Sequence, residues 1–226
     1  MSFRVYFASN WKDSVNDARI FPAQFGFGFS ESGLPRLPQT VLPDALRILD
    51  DAILPKKAPD DAAIARLANL CQAGCLLDFE RAPSQTHAAI VHRLSRELNG
   101  VTLFVAPERF LSLSSSLLPL VTPPPRCSNW KDFITEVGQR YPRGWVLELI
   151  PCRYSVQMPF PTQSSGLLQD ALCRYRQSGR TIQYYDTPET LSQKLMLAQK
   201  NACLSAIGLL EELRPFQKIC ETAFCP

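Results

Sequence analysis

The sequence predicts a compact (β/α)8 barrel, the TIM-barrel class of α/β protein, formed by residues 1–226 as a single domain. Short apolar segments alternate with segments of helical periodicity along the whole chain, which is typical of a parallel sheet with helices outside it. About eight apolar segments fall at barrel positions, which favours a barrel over an open doubly wound sheet. The chain has 226 residues, fewer than the ~250 of a typical barrel, so we expect some helices to be shortened to loops.

The predicted strands are short apolar runs, and several of them end abruptly in charged residues. VTLFVA and WVLELI are examples of runs that are too short for a helix and rich in branched or aromatic side chains. The eight barrel strands are predicted at residues 3–8, 25–29, 45–49, 74–79, 101–106, 117–121, 145–150 and 204–209, with an additional strand at 181–185.

Five helices are predicted between these strands, at residues 60–72, 86–98, 129–141, 166–179 and 188–202. The first has apolar residues at helical spacing and acidic residues in its first turn. The second places Ala88, Val91, Leu94 and Leu98 on one face. The helix over 166–179 ends at a glycine, and the helix over 188–202 has a proline in its first turn.

The composition favours an ordinary globular protein of the cytoplasm. Hydrophobic residues make up 46% and charged residues 20%, and the net charge of +3 is not gathered into a basic stripe, so no nucleic-acid partner is expected. No run approaches the ~18 apolar residues of a membrane helix, and the first residues do not have the pattern of a signal peptide. We therefore expect a cytoplasmic protein without membrane contact. The sequence makes no prediction of the oligomeric state.

Neither a metal nor a cofactor is expected. The eight cysteines form no CxxC pair and there are only two histidines, so a zinc site is not predicted, and the cysteines are expected to be reduced. No glycine-rich phosphate loop follows a strand. His87 and His92 are interpreted as ordinary helix residues, and because neither follows a strand end, no Ser-His-Asp or Cys-His set is predicted.

The stretch GCLLDFER, residues 74–81, ends a predicted strand with two carboxylates. Asp78 and Glu80 are two residues apart and therefore share one face of the strand, at the carboxyl end where barrel enzymes have their active sites. Two carboxylates this close do not both ionise easily, so one pKa would rise, as a general acid needs. The alternative is that Arg81 pairs with them and that they only cap the strand end.

This stretch resembles the DGxDxDxE signature of glycoside hydrolase family 18, the chitinase-like barrels, at the end of the fourth strand. Gly74 matches the glycine of the signature, Asp78 its last aspartate and Glu80 its glutamate. The resemblance implies that Glu80 protonates the leaving oxygen and that Asp78 holds the N-acetyl group of the substrate. The acetamido oxygen of the substrate would then act as the nucleophile.

A second region is similar to the closing segment of the same family. This region is YYDTPETLSQK, residues 184–194, with the segment after it. Four of its residues align with the corresponding positions of the family segment: Asp186, Pro188, Lys194 and Glu211. WVLELIPCRY, residues 145–154, looks like the seventh strand of the family. The resemblance spans most of the chain and implies a carbohydrate ligand, an N-acetylhexosamine-containing glycan.

Four departures from the family pattern leave other functions open. Ala73 and Leu76 stand where the family has the first two aspartates of the signature, Arg81 stands where an aromatic residue is usual, and Leu210 replaces the tryptophan under the sugar. One alternative is a catalytically inactive barrel that binds a carbohydrate or another small ligand. Another is unrelated chemistry on the same fold, with Glu80 and Arg81 forming a structural ion pair.

Further candidates lie at predicted strand ends. Asp50 and Asp51 end the third strand, and Glu108 and Arg109 follow the fifth, where they would bind a polar ligand or only solvate the rim. Glu148 lies in an apolar strand and would face the site or pair with a core arginine. Several aromatic residues would stack on sugar rings or pack in the core: Trp11, Trp130, Tyr154, Tyr184 and Tyr185. The predicted substrate-binding set is Tyr184, Tyr185, Asp186, Glu148, Tyr154, Asp50, Glu108 and Arg81.

Overall fold

The computed structural model describes residues 3–10, 20–124, 126 and 129–222. Trp11, one of the predicted stacking residues, lies outside them. The strands are β1 (Arg4–Ser9), β2 (Phe21–Phe29), β3 (Pro35–Arg36), β4 (Leu46–Asp50), β5 (Cys75–Asp78), β6 (Phe104–Pro107), β7 (Leu118–Val121), β8 (Trp145–Glu148), β9 (Arg153–Leu168), β10 (Cys173–Tyr185) and β11 (Cys203–Leu209).

The helices lie between the strands, as in an α/β fold. They are α1 (Asp61–Ala68), α2 (Gln85–Glu97), α3 (Trp130–Arg140), α4 (Pro188–Lys200), α5 (Leu210–Leu213) and α6 (Gln217–Thr222), with 3₁₀ turns at Glu108–Leu113 and Arg214–Phe216. Each of the four long helices begins with a polar N-cap side chain that accepts a backbone N–H: Asp60, Ser84, Asn129 and Thr187. Within the described ranges, every helix is too short or too polar to span a bilayer.

The parallel strands confirm the predicted fold class. They follow the order β1-β2-β4-β5-β6-β7 and continue through β8 and β11, which is the strand order of a closed (β/α)8 barrel. As expected for a short chain, the connection from β2 to β4 contains only the two-residue strand β3. The connection from β6 to β7 contains a 3₁₀ turn.

The chain divides into two compact units, Tyr6–Val121 and Thr122–Pro226 with Met1–Val5. In the first unit, α1 and α2 pack on the sheet over a buried cluster that includes Leu67, Leu77, Phe79, Leu94 and Phe110. In the second unit, α4 buries Leu191, Leu195 and Ala198, and Trp145 of β8 is fully buried. The indole N–H of Trp145 donates to the Asn201 carbonyl at 2.8 Å.

One predicted helix is wrong. The segment predicted as a helix over 166–179, and the separate strand at 181–185, belong to the long antiparallel hairpin of β9 and β10. The apolar residues of this segment have the spacing of a helix: Leu167, Leu168, Ala171 and Leu172. In the structure they form the end of β9 and a tight turn, in which Leu172 has a φ of 47°. From residue 173 to 178 burial alternates with a period of two, which is the pattern of a strand.

This hairpin folds back on itself at a large bulge. Gly179 pairs with Thr162, whereas Thr181 pairs with Gln157, so residues 158–161 of β9 stand opposite Arg180 alone. The outer half turns over the inner half, and the Tyr175 ring lies 6.5 Å from that of Tyr184. The tip of the hairpin is therefore partly buried: Ala171, Leu172 and Cys173 are buried, Gln169 and Asp170 are exposed, and the Asp170 carbonyl accepts the Trp130 N–H at 2.7 Å.

Candidate functional site

The two carboxylates of the family-like signature lie at and beyond the end of β5. Asp78 is the last residue of the strand and half-buried, and Glu80 is exposed two residues later. Phe79 between them is buried in the cluster under α2, where its ring packs edge-on against Phe110 at 5.4 Å. Asp78, whose chain neighbours Leu77 and Phe79 both belong to that cluster, therefore points away from it.

Asp51 fixes the backbone that carries Glu80. The buried Asp51 carboxylate accepts the backbone N–H of Glu80 and of Arg81, each at 2.9 Å, and contacts Nε2 of His87 at 3.1 Å. On its other side, His87 Nδ1 lies 2.8 Å from Ser84 Oγ. Both carboxylate oxygens of Asp51 already accept hydrogen bonds from the protein. Asp51 therefore positions the loop after β5 and does not bind a ligand.

The sequence predicts His87 to be an ordinary helix residue outside any catalytic Ser-His-Asp set; His87 does lie in α2, but it also makes a long-range contact that the sequence did not predict. Ser84, His87 and Asp51 form a hydrogen-bonded chain. However, the imidazole is fully buried, and Ser84 Oγ caps α2 by accepting the His87 N–H at 3.3 Å. We assign the set a structural role, because no substrate reaches the imidazole. Contact between residues 36 positions apart has no signature in local sequence.

The other charged residues predicted in the first unit are held by neighbours. Asp50 forms an ion pair with Arg36, and its Oδ1 also accepts the Ala52 N–H at 3.1 Å. Arg81 does not pair with Glu80 among the residues described, because its guanidinium donates to the Ala52 carbonyl at 2.7 Å. The structural ion pair between Glu80 and Arg81, which the sequence left as one alternative, is thus absent from this part of the chain.

The strand ends of the first unit bring some of these residues into neighbouring positions. Asp50 and Asp78 are Cα partners in the β4–β5 ladder. Glu108 is exposed at the start of the 3₁₀ turn after β6. Arg109, the next residue, donates to the Phe79 carbonyl. The acidic strand ends therefore lie at neighbouring positions along one edge of the sheet.

Asp186 has a structural role in the second unit. Its buried carboxylate receives the Lys194 ammonium at 2.8 and 2.9 Å, the Thr190 hydroxyl at 3.0 Å and the Cys152 N–H at 2.6 Å. Four hydrogen bonds from three donor groups satisfy the charge, so Asp186 holds the base of the hairpin to α4 rather than contacting a substrate. Glu148 is half-buried at the end of β8 and accepts the Thr122 hydroxyl, so no core arginine is needed to hold it.

The predicted tyrosines come together in the hairpin. Tyr154 and Tyr184 are register partners, and their rings stack at 4.7 Å with an interplanar angle of 19°. The Arg126 guanidinium lies 5.5 Å from the centre of the Tyr154 ring. Burial raises the pKa of the Tyr154 hydroxyl. Tyr185 pairs with Arg153 at the base of the hairpin.

A cavity of about 350 Å³ opens beside these tyrosines, entirely within the second unit. It lies where the chain leaves β8, on the carboxyl side of the parallel strands, where barrel proteins bind ligands. Of the predicted substrate-binding residues, Tyr154 alone lines it. The wall consists of Thr122, Pro123, Pro124, Trp130, Ile150, Pro151, Cys152, Arg153, Tyr154, Ala171, Cys173 and Lys194.

Trp130 and Lys194 give this cavity its polar character. The Lys194 ammonium lies 4.9 Å from the centre of the Trp130 ring, a cation–π contact added to its pairing with Asp186. The indole N–H of Trp130 is buried and has no acceptor among the described residues. Carbon surfaces from proline and aromatic rings thus stand beside a small number of hydrogen-bond donors, which is typical of a ligand pocket.

The structure brings together two thiols on the cavity wall that sequence spacing did not connect. Cys152 and Cys173 are free and hydrogen-bonded to each other. This hydrogen bond raises the pKa of Cys152, which donates, and lowers the pKa of Cys173, which accepts. No group of three or more histidine, cysteine or acidic side chains that could hold a metal ion occurs among the residues the structure describes.

The fold is that of the glycoside hydrolase family 18 barrels. A chitinase from Chromobacterium violaceum superposes with a TM-score of 0.63 at 10% identity, over 98% of this chain and 99% of that one. A family 18 chitinase from Cycas revoluta in complex with (GlcNAc)3 gives 0.61 at 12% identity, over 98% and 99%. A chitinase-like agglutinin from Robinia pseudoacacia gives 0.57 at 10% identity, over 96% and 98%.

These similarities confirm the resemblance seen in residues 74–81 and 184–194 at the level of the fold. No protein-family model and no curated protein sequence matches the chain. At identities of 10–12%, what is shared is the architecture of the chitinase-like barrel.

Proposed function

We propose that this chain is a chitinase-like barrel that binds an N-acetylhexosamine-containing oligosaccharide without cleaving it efficiently. The cavity beside the hairpin carries the proposal. Its proline and aromatic walls suit the apolar faces of a pyranose ring, and the Arg153 and Lys194 side chains supply donors to hydroxyl and acetamido oxygens. Its volume of about 350 Å³ suits a sugar unit rather than a large cofactor.

The surroundings of Glu80 support binding rather than hydrolysis. A general acid works best where burial or a neighbouring charge favours its protonated form. Glu80 is exposed, and no side chain from the described residues donates to its carboxylate. Leu76, which is buried in β5, stands where the family has the second aspartate of the signature. In the family that aspartate shares charge with the one that corresponds to Asp78.

Hydrolysis is the second candidate, and one observation favours it. Asp78 ends the fourth barrel strand and Glu80 follows it by two residues, at the strand end where the resemblance puts the acetamido anchor and the acid. In this reading Glu80 protonates the leaving oxygen and Asp78 orients the acetamido group.

Titration with N-acetylchitotriose and N-acetylchitotetraose, followed by calorimetry, tests the binding proposal. Tyr154→Ala removes one wall of the cavity, and we expect the Kd to rise about tenfold, equivalent to ~1.4 kcal/mol. Tyr141→Ala is the matched control. Tyr141 follows the C-terminal end of α3, whereas Trp130 at the N-terminal end of that helix lines the cavity. A wild-type protein that binds neither oligosaccharide, or equal affinity in wild type and Tyr154→Ala, would contradict the cavity as the sugar site.

Release of a fluorogenic group from N-acetylglucosaminides separates the two candidates. The binding proposal predicts no turnover that depends on Glu80. The hydrolytic candidate predicts wild-type turnover that falls by about 10²-fold or more in Glu80→Gln, the scale of a lost general acid. If the wild type and Glu80→Gln turn over the substrate at the same rate, a group other than Glu80 is responsible for the hydrolysis.

A further inference from the structure

Two cysteines at opposite ends of β9 meet on the cavity wall. Cys152 lies at the base of the hairpin and Cys173 at its tip, and the fold-back at residues 158–161 brings them into hydrogen-bond contact. Both thiols line the cavity of about 350 Å³. Cys152 is half-buried and Cys173 is 2% exposed, so the cavity is their route to small reagents.

The neighbourhood makes one of these thiols the more reactive. The hydrogen bond donated by Cys152 stabilises a thiolate at Cys173, and the Lys194 ammonium adds to this effect. Burial of the Cys173 thiol opposes it, and so does Asp186, whose charge is neutralised by Lys194. Cys173 is therefore the thiol of the pair that loses its proton more readily and Cys152 the one that keeps it, the asymmetry that a redox dithiol uses.

We propose that Cys152 and Cys173 form a reversible disulfide on oxidation by hydrogen peroxide or a similarly small peroxide. The cavity admits an oxidant of that size, and both sulfurs lie on its wall and interact with each other, which is the proximity that an S–S bond of ~2.05 Å requires. This proposal is independent of the sugar-binding function.

The reaction proceeds in two balanced steps. The Cys173 thiolate attacks one oxygen of the peroxide, an S–O bond forms, the O–O bond breaks, and the departing hydroxide takes a proton from solvent to become water. Cys152 then attacks the sulfur of the Cys173 sulfenic acid. The S–S bond forms, the S–O bond breaks, and the second water leaves with the Cys152 proton. Two thiols are oxidised to one disulfide, and one peroxide is reduced to two waters.

The chain contains its own control. Cys71 and Cys75 are also hydrogen-bonded to each other, but both are 0% exposed inside the apolar cluster of the first unit. Burial raises the pKa of Cys75. A neutral thiol without access to solvent is not attacked, so this pair should stay reduced under the same treatment.

Peptide mapping tests the proposal. Fully reduced protein is treated with one equivalent of hydrogen peroxide, its remaining thiols are blocked with N-ethylmaleimide after denaturation, and it is digested with trypsin. We expect the peptides 144–153 and 154–174 to be joined, and dithiothreitol to separate them. Peptide 67–81, with Cys71 and Cys75, should carry two maleimides. Absence of the joined species, or equal oxidation of both pairs, would overturn the proposal.

Two variants identify the attacking sulfur. In Cys152→Ser the sulfenic acid at Cys173 has no resolving thiol, and dimedone should label Cys173. In Cys173→Ser, labelling of Cys152 should be at least tenfold slower. Equal labelling, or faster labelling of Cys152, would contradict the assigned roles. The mapping of the wild-type protein decides the disulfide itself even where a variant folds poorly.

Discussion

Asp186 and Asp51 illustrate the same solution to a buried carboxylate at two places in the chain. Asp186 is 7% and Asp51 3% exposed, and each receives several protein donors. A carboxylate removed from water is tolerable only when its lone pairs are satisfied in this way. Each therefore fixes a connection: Asp51 fixes the loop after β5, and Asp186 fixes the base of the hairpin.

Removing the cation from Asp186 should be costly. We expect Lys194→Met to lower the free energy of unfolding by about 3–5 kcal/mol, because the buried carboxylate loses its counter-ion. Lys56→Met is the control, since the Lys56–Glu31 pair is 3.0 Å long but exposed, with 82% and 67% of the side chains accessible. That variant should change stability by less than about 0.5 kcal/mol. Urea denaturation measures both, and equal losses would contradict the assigned role of Lys194.

Single residues also mark the limit of prediction from sequence. Asp78 and Glu80 were found because their spacing and the strand end are local features. Asp51 with His87, and Cys152 with Cys173, could not be found, because each contact depends on how distant segments pack. The lining of the cavity was missed for the same reason, apart from Tyr154 and Trp130, which were picked out as aromatics alone, and Lys194, which was picked out for its register with the family segment.

At the level of elements, the helices with clear capping residues were predicted well and the hairpin was not. The prediction of 129–141 corresponds to α3 and that of 188–202 to α4, both of which begin after a polar cap. Proline at the start of α4 and its capping box are local signals. The hairpin was missed because the apolar residues around its turn have helical spacing, and because the turn at residues 169–172 lacks the Asn-Gly or Asp-Gly pair that usually marks a hairpin.

The packing of α3 on the end of α4 should reverse the usual effect of a helical Gly-to-Ala change. In a helix interior this substitution normally stabilises by about 0.5–1 kcal/mol. A Cβ on Gly138 would lie 2.7 Å from the Asn201 carbonyl oxygen, which is backbone and cannot turn aside. We therefore expect Gly138→Ala to destabilise by about 1–3 kcal/mol.

Gln139→Ala, at the next and exposed position of the same helix, is the control for that change. It should stay within about 0.5 kcal/mol of wild type in the same urea denaturation. A stabilised Gly138→Ala protein would mean that α3 and Asn201 are further apart than described.

For the molecule as a whole, the barrel class followed from the alternation of strands and helices alone, whereas the way the apolar interior is filled did not. Cysteine is part of that filling. Cys203 and Cys220 are 3% and 4% exposed, and burial raises the pKa of each thiol to about 12. Such thiols act as small apolar side chains as long as they stay protonated.

This filling sets an alkaline limit to stability. The unfolded chain releases the Cys203 proton near pH 8.5 and the folded chain near 12, so the contribution is complete below about pH 8.5 and is lost as the pH rises toward 12. Between pH 8 and 10.5 one such thiol should cost about 2 kcal/mol of unfolding free energy. Over this pH interval the free energy of unfolding of Cys203→Ala should fall by about 2 kcal/mol less than that of the wild type, as measured by urea denaturation in reductant. Parallel losses would contradict the assignment.

The hairpin of β9 and β10 has ends that meet. Arg153 is the Cα partner of Tyr185, and one residue closer to the barrel the Asp186 N–H donates to the Cys152 carbonyl at 3.0 Å. The chain thus leaves and returns at a single point, already clasped by Asp186 and Lys194. The whole excursion begins and ends at this one anchored point, so a shorter turn or a foreign loop could replace it and keep the anchor, with the loss of the cavity wall that Ala171 and Cys173 supply. Such a point is where a barrel acquires new specificity by exchanging one segment while its scaffold stays the same.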